Sequence, residues 1–105
     1  VLTAYGNDLS FDDIFAEQLK NHITKDDCLI VISASGNSKN VVNAIDVAKS
    51  KGAWTLGLCG FDGGKVHGTV DLSFHIISDH YGIVEDVHHS LLHMIAYKVK
   101  KDRRI

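Results

Sequence analysis

The hydrophobic and polar positions of the chain follow two different periods in turn, and this alternation predicts strands separated by helices. Short runs of apolar and β-branched residues, without Asp, Glu, Lys or Arg, are typical of buried strands. Four such runs predict strands at residues 1–5, 28–32, 54–59 and 72–77. Longer amphipathic stretches predict helices near residues 12–22, 38–51 and 84–100.

The predicted strand at residues 28–32 is wholly apolar, which suits a central parallel strand covered on both faces. In the helix after it, Val41, Ile45 and Ala48 recur at helical spacing, and Gly52 fits the position just beyond the helix end. Strands that alternate with helices imply right-handed parallel crossovers. We therefore expect one α/β domain over the whole chain, a three-layer αβα sandwich around a parallel sheet.

A phosphate-binding loop is predicted between the second strand and its helix. Ser33, Ser35 and Ser38 supply three hydroxyls around Gly36 and Asn37, just where the helix begins. The first turn of a helix has unpaired N–H groups and a partly positive end, so it stabilises an anion. Gly36 would let the backbone approach that anion closely, and we expect these five residues to bind phosphate.

The same segment has a simpler interpretation. Ser and Asn are ordinary N-cap residues, and a serine-rich turn that only caps a helix is common. Both interpretations stay open from these residues alone.

Composition and charge narrow the classes of function. The 105 residues are 45% hydrophobic and 23% charged, as in an ordinary globular chain, and the net charge of −2 gives no general attraction to nucleic acid or an anionic membrane. No apolar run approaches a membrane span, and the N-terminus lacks a signal pattern. We expect a cytoplasmic protein whose partners include neither nucleic acid nor a membrane.

The two cysteines, Cys28 and Cys59, lie in apolar strand-like runs far apart in sequence. Their spacing excludes a CxxC redox motif and a zinc ribbon. We expect buried free thiols, since a reducing cytoplasm argues against a bridge between adjacent strands.

The last predicted helix concentrates titratable side chains. His88, His89 and His93 are three of the seven histidines, and Glu85, His89 and His93 share a helix face about 80° wide. A carboxylate and imidazoles so placed can serve as general acid and base, or bind a divalent metal such as zinc. The alternative is that these histidines lie half buried at a subunit contact or hydrogen-bond to backbone carbonyls.

Two turns complete the candidate site. Asn7 and Asp8 follow the first strand at the expected ligand-facing edge of the sheet, although an Asn-Asp pair is also a simple strand exit. Gly63 and Gly64 predict a tight turn with positive φ after the third strand, in which Asp62 could face a substrate.

The segment at residues 32–41 resembles the phosphate loop of the sugar isomerase (SIS) domain. The segments at residues 5–8, 12–15, 60–65 and 84–88, with His93 five residues later, resemble successive blocks of bacterial phosphoheptose isomerases in the same order. The resemblance covers nearly the whole chain. It implies an SIS-type, flavodoxin-like fold and a phosphorylated sugar as substrate.

The resemblance further implies an aldose-ketose isomerase that acts on sedoheptulose 7-phosphate or a similar phosphosugar. A proton would move between C1 and C2 through an enediol. The resemblance places Glu85 and His93 at the positions that take part in proton transfer and can bind zinc. His88 matches a further recurrent histidine of the family. The resemblance also assigns Asn7 and Asp8 to the substrate pocket.

The sequence departs from the family at two of these positions. Glu85 stands where phosphoheptose isomerases carry glutamine. A metal site here would carry more negative charge, or the protein would work without a metal. Ala34 stands where they commonly carry a threonine. One neutral hydrogen bond fewer is worth only about 0.5–1.5 kcal/mol, so the remaining serines should still bind phosphate.

The chain opens directly in an apolar strand. In the family, another strand, a glycine-rich loop and long helices come first, and one helix supplies a histidine and a glutamate to the site. We therefore expect the C-terminal portion of a full SIS domain, without its main catalytic base. The resemblance also implies a homodimer or homotetramer, because domains of this family form dimers or tetramers with pockets between subunits. Leu92 and Ala96, between the functional side chains, agree with a last helix that is covered on both sides.

Two other functional classes compete with the isomerase. SIS domains also occur in noncatalytic phosphosugar sensors and in protein-bridging regulators, and their phosphate loop would look the same. A zinc hydrolase is disfavoured, because the helix lacks an HExxH pattern and the serine loop would have no role.

Overall fold

The computed structural model describes residues 13–102, in which strands and helices alternate as predicted. The helices are α1 (Ile14–His22), α2 (Lys39–Ser50), α3 (Gly64–Thr69) and α4 (Tyr81–Asp102). The strands are β1 (Cys28–Ser33), β2 (Trp54–Cys59) and β3 (Leu72–His75). The strand predicted at residues 1–5 and the pocket residues Asn7 and Asp8 lie outside the described residues.

The strands of the described region form a parallel sheet in the order β1-β2-β3. Cys28 pairs with Trp54 and Ser33 with Cys59, and Cys59 pairs in turn with His75. The carboxyl ends of the three strands therefore meet at one edge of the sheet. In parallel α/β sheets this is the edge where ligands bind.

Helices cover the two faces of the sheet, which gives the expected three layers. On one face Val31 packs in a core cluster with Ile45 of α2 and Val66 of α3. On the other face a Cβ atom on Gly60 would lie 2.6 Å from a methyl carbon of Val84 in α4. Successive strand residues point to opposite faces, so β2 supplies core to both layers.

Several boundaries differ from the sequence prediction. β3 ends at His75, two residues early, and α4 begins at Tyr81, three residues early. The short helix α3 was not predicted, because its six residues include two glycines and show no clear helical period. Gly63 and Gly64 have φ of 88° and 54°, which confirms the predicted turn before it.

The expectation that β1 is covered on both faces is wrong for the described residues. Ile30 and Ile32 are 40% and 48% exposed, because they face the α4 side at the edge of the described sheet. Burial is confirmed for the Cys59 thiol but wrong for Cys28, which is exposed. The two cysteines are free and lie at opposite ends of neighbouring strands.

Among the helices within residues 13–102, none has both the length and the apolar character that crossing a membrane requires.

Candidate active site

The serine loop, residues 33–38, connects the carboxyl end of β1 to the N-terminus of α2. Ser33 is the last residue of β1 and is buried, whereas Ser38 is the N-cap residue of α2 and is exposed. The local reason is that Ser38 has extended backbone angles, φ −63° and ψ 121°, just before the helical residues begin. The loop thus lies at the ligand-facing edge of the sheet.

Hydrogen bonds within the serine loop fix its shape. The Ser33 Oγ atom accepts from the Gly36 N–H at 3.0 Å and lies 3.3 Å from the Ser38 Oγ. The Ser35 Oγ atom accepts from the Asn37 N–H at 3.3 Å. Hydroxyls that accept from the backbone keep their own hydrogens for another acceptor, such as a phosphate oxygen.

The start of α2 is not capped by the side chain of its own N-cap residue. Ser38 makes no side-chain cap hydrogen bond, so the simple capping interpretation does not hold for this serine. The first turn of α2 also contains no acidic residue, and it begins with Lys39. No carboxylate in that turn therefore offsets the partly positive end of the helix.

A second loop, the glycine loop at residues 60–64, docks against the serine loop. The Gly60 N–H donates to the Ala34 carbonyl at 2.8 Å. Just beyond it, the Val66 N–H donates to the Gly36 carbonyl at 2.9 Å, and the Lys65 N–H donates to the Asn37 Oδ1 at 3.0 Å. The Asn37 side chain is thus used in loop contact, which sequence reasoning missed.

Gly36 also has a structural role that the sequence analysis did not predict. Gly36 has φ of 73°, and a Cβ atom there would lie 2.1 Å from the Gly63 carbonyl oxygen. The contact between the two loops therefore requires a glycine, independently of any anion. The only sequence signal for this contact was the adjacent glycine pair, Gly63 and Gly64.

Cavities lie on both sides of the serine loop. One of about 600 Å³ is lined by Ser35, Asn37, Phe61, Asp62 and Asp79, among others. Another of about 320 Å³ is lined by Ile32, Ala34, Glu85, His88 and His89, among others. The second cavity is lined by residues of both the serine loop and the last helix.

The titratable side chains of α4 differ in their exposure and in their position along the helix. Glu85 and His89 are exposed and line the smaller cavity, while His93 lies one turn farther along α4, with its ring centroid 5.2 Å from that of His89. His88 is only 2% exposed. Its Nε2 donates to the Cys59 carbonyl at 2.8 Å, and its buried Nδ1 has no partner among the described residues.

The described residues do not fit a zinc centre by themselves. Glu85 and His93 were the residues expected to bind the metal, but within residues 13–102 no three His, Cys, Asp or Glu side chains are grouped so that they could hold an ion. A stable protein zinc site uses three or four such ligands.

Fold and site define the class of this protein. It is a three-layer α/β protein with a parallel sheet, and a serine-glycine loop precedes the helix after β1. Residues 2–60 match the family model of the SIS domain. The chain belongs to the SIS domain family, which confirms the resemblance seen in its sequence.

Its relatives point to one branch of that family. The chain is 40% identical over 96 residues to the phosphoheptose isomerase of Nitratidesulfovibrio vulgaris, an alignment that covers 91% of the chain and 46% of the relative. It is 42% identical over 95 residues to that of Aliarcobacter butzleri, covering 90% and 50% respectively. The chain thus spans about half the length of the curated relatives it matches.

Solved structures agree. The phosphoheptose isomerase from Neisseria gonorrhoeae superimposes with a TM-score of 0.86 and 33% identity, covering 89% of this chain and 53% of the other. The one from Francisella tularensis gives 0.85 and 30%, covering 89% and 50%.

Proposed function

We propose that this protein is an aldose-ketose isomerase that acts on sedoheptulose 7-phosphate or a closely similar phosphosugar. The observation that carries the proposal is the serine loop, with its hydroxyls and a helix N-terminus that Ser38 does not cap, beside the cavity that Glu85 of α4 also lines. The phosphoheptose isomerases found among the relatives supply the substrate class.

In this proposal the serine loop binds the phosphate group. Ser33, Ser35 and Ser38 donate hydroxyl hydrogens to its oxygens, and the first amides of α2 face the same charge. Gly36 and Asn37 belong to the binding loop and hold its shape, because their N–H groups donate to the Oγ atoms of Ser33 and Ser35. Binding of the phosphate holds the sugar chain in place relative to α4, which keeps the reacting carbons close to the catalytic side chains.

Glu85 and His93 are assigned to proton transfer. A base removes a C1 proton of the open-chain ketose while an acid protonates the C2 carbonyl oxygen, which yields the enediol. Return of a proton to C2, with loss of the C1 hydroxyl proton, gives the aldose. Glu85 lies nearer the serine loop, and His93 takes the position farther along the helix.

Phosphorylated sugars are made and consumed in the cytoplasm, so we place the protein there. We also propose a homodimer or homotetramer. Ile30 of β1 and Leu92, Ile95 and Val99 of α4 line an open apolar groove, which assembly would cover.

The first test is ligand-induced thermal stabilisation of the full-length protein. We expect sedoheptulose 7-phosphate to raise the melting temperature and unphosphorylated sedoheptulose to have little effect, because the phosphate supplies the charge. A Ser35→Ala/Ser38→Ala double variant should lose the shift. Ser50→Ala is the matched control, since Ser50 lies at the far end of α2 and bonds only the Val47 carbonyl among the contacts that the structure gives it.

A turnover assay then separates an enzyme from a sensor. His93→Gln should retain phosphate-dependent stabilisation but lose isomerisation by roughly 100-fold or more, as expected for a general acid or base. Binding without turnover in the wild-type protein would instead identify a noncatalytic sensor. Absence of any phosphate-dependent shift would refute the phosphate site.

A further inference from the structure

The serine loop depends on the glycine loop for its shape. One hydrogen bond and the close approach of Gly36 to Gly63 join the two loops, and two more hydrogen bonds join the serine loop to the first turn of α3. A displacement of the glycine loop, which leads into α3, would therefore also move the serine loop. Whatever holds the glycine loop in place therefore acts on the phosphate site.

Phe61 is the strained residue of the glycine loop. It has φ of 50°, a left-handed conformation that a non-glycine residue adopts only when its surroundings enforce it. Its N–H donates to the Ser78 carbonyl at 2.9 Å, and its ring meets Tyr81 edge-on at 4.7 Å between centroids. Its carbonyl accepts from the His75 Nε2 at 2.8 Å.

The imidazole of His75 is itself fixed by its neighbours. It stands at the end of β3, and its ring centroid lies 4.8 Å from that of His67 in α3. The His67 Nδ1 and the Ser73 Oγ are hydrogen bonded at 2.8 Å, and the same Oγ lies 3.5 Å from the buried Cys59 thiol. Because a carbonyl only accepts, the His75 Nε2 must carry a hydrogen.

We propose that His75 is a positioning residue for the phosphate site, which acts through the Phe61 carbonyl to hold the glycine loop against the serine loop. The inference rests on the proposed phosphate-binding function. The histidine does not touch the phosphate. It determines where the Gly36 and Asn37 region of the serine loop lies, because that region is bonded to the segment that Phe61 begins.

The test uses substrate kinetics of the full-length protein with sedoheptulose 7-phosphate. His75→Leu removes the donor and should raise KM by roughly fivefold, about the value of one net hydrogen bond, while kcat stays within about twofold. His75→Gln keeps an N–H donor at a similar reach and should restore KM to within about twofold of the wild type. His75→Asn, with a shorter reach, should fall between them.

A core variant separates positioning from general stability. Ile23→Val removes one methyl group from the core cluster that Ile23 forms with Ala48 and Ala53, which contains no residue of either loop, and should lower the melting temperature without raising KM. If His75→Leu behaves in the same way, with a lower melting temperature and an unchanged KM, the proposal is overturned. The same holds if His75→Gln fails to restore KM.

Other outcomes are equally informative. Should His75→Leu fail to fold, His75→Asn provides the comparison with His75→Gln, and equal KM values for the two would overturn the inference. If the wild-type protein neither binds nor converts the phosphosugar, the proposed function itself fails. That result differs from failure of the inference alone, in which the wild-type protein turns over normally and the His75→Leu variant turns over equally well.

Discussion

At the scale of single residues, the contact between Asp71 and Thr55 shows how a carboxylate can fix two strands. The Thr55 N–H and hydroxyl both donate to the Asp71 Oδ2, at 2.8 and 2.9 Å. The Thr55 Oγ1 accepts in turn from the Asp71 N–H at 3.0 Å. The two hydrogen bonds that Thr55 donates lower the pKa of Asp71 below its ordinary value of 3.8, and the bond from the backbone N–H has the larger effect.

The lowered pKa predicts a pH-dependent effect of Asp71→Asn. The stabilisation from the carboxylate is fully present above about pH 4 and is lost as the pH falls through the lowered pKa. We therefore expect Asp71→Asn to unfold at lower urea concentration than the wild type at about pH 7, and the difference to shrink as the pH falls below about 4. Asp46→Asn, at an exposed site on α2, is the control. A difference independent of pH would contradict the prediction.

At the scale of secondary structure elements, α4 owes its early start to a histidine. The His80 Nδ1 accepts from the Ile83 N–H at 3.3 Å, and the Ser78 Oγ accepts from the His80 N–H at 3.1 Å. Histidine is not a typical N-cap, so the sequence pattern predicted the helix only from Val84, where the apolar period begins. The first turn of α4 also contains no acidic residue.

His80→Asp should therefore stabilise the protein. A carboxylate at this position can accept from the same Ile83 amide and also carries the charge that the helix N-terminus favours, together worth about 0.5–1.5 kcal/mol. His80→Ala should instead lower the free energy of unfolding by several tenths of a kcal/mol, because it removes the acceptor. Urea unfolding at about pH 7 measures both. An Asp variant no more stable than the Ala variant would disprove the capping role.

At the scale of the whole molecule, the exposed apolar groove between β1 and α4 has consequences for assembly. Ile30 is 40% exposed and Val99 is 52% exposed, and Leu92, Ile95 and Ala96 line the same groove. Apolar surface of this kind is costly to leave in water. This is the physical basis of the homo-oligomer proposed above.

A charge in the groove should weaken that assembly. We expect Ile95→Glu to raise the dissociation constant of the full-length oligomer at least tenfold, because a carboxylate would be buried without a partner. Lys101→Glu, at an exposed site on the last turn of α4, is the matched control and should assemble like the wild type. Sedimentation velocity measures both, and circular dichroism verifies folding. Equal assembly of the two variants would exclude this groove as the interface.

The sequence by itself determined the type and order of the elements. Hydrophobic period and end signals are local properties, so they identified β1, α2 and β2 almost to the residue, and they predicted the parallel three-layer class. Local chemistry also identified the serine loop before α2, and sequence resemblance identified the SIS family that residues 2–60 match.

Only the tertiary structure decided which distant residues meet. Gly36 is required by its contact with Gly63, Asn37 bonds to the N–H of Lys65, and His75 holds the strained Phe61. The exposure of Cys28 and Ile30 likewise depends on the position of β1 in the sheet. Such contacts join segments that are separate in the chain, and no local period encodes them, because the packing of the sheet and its helices sets the distances between them.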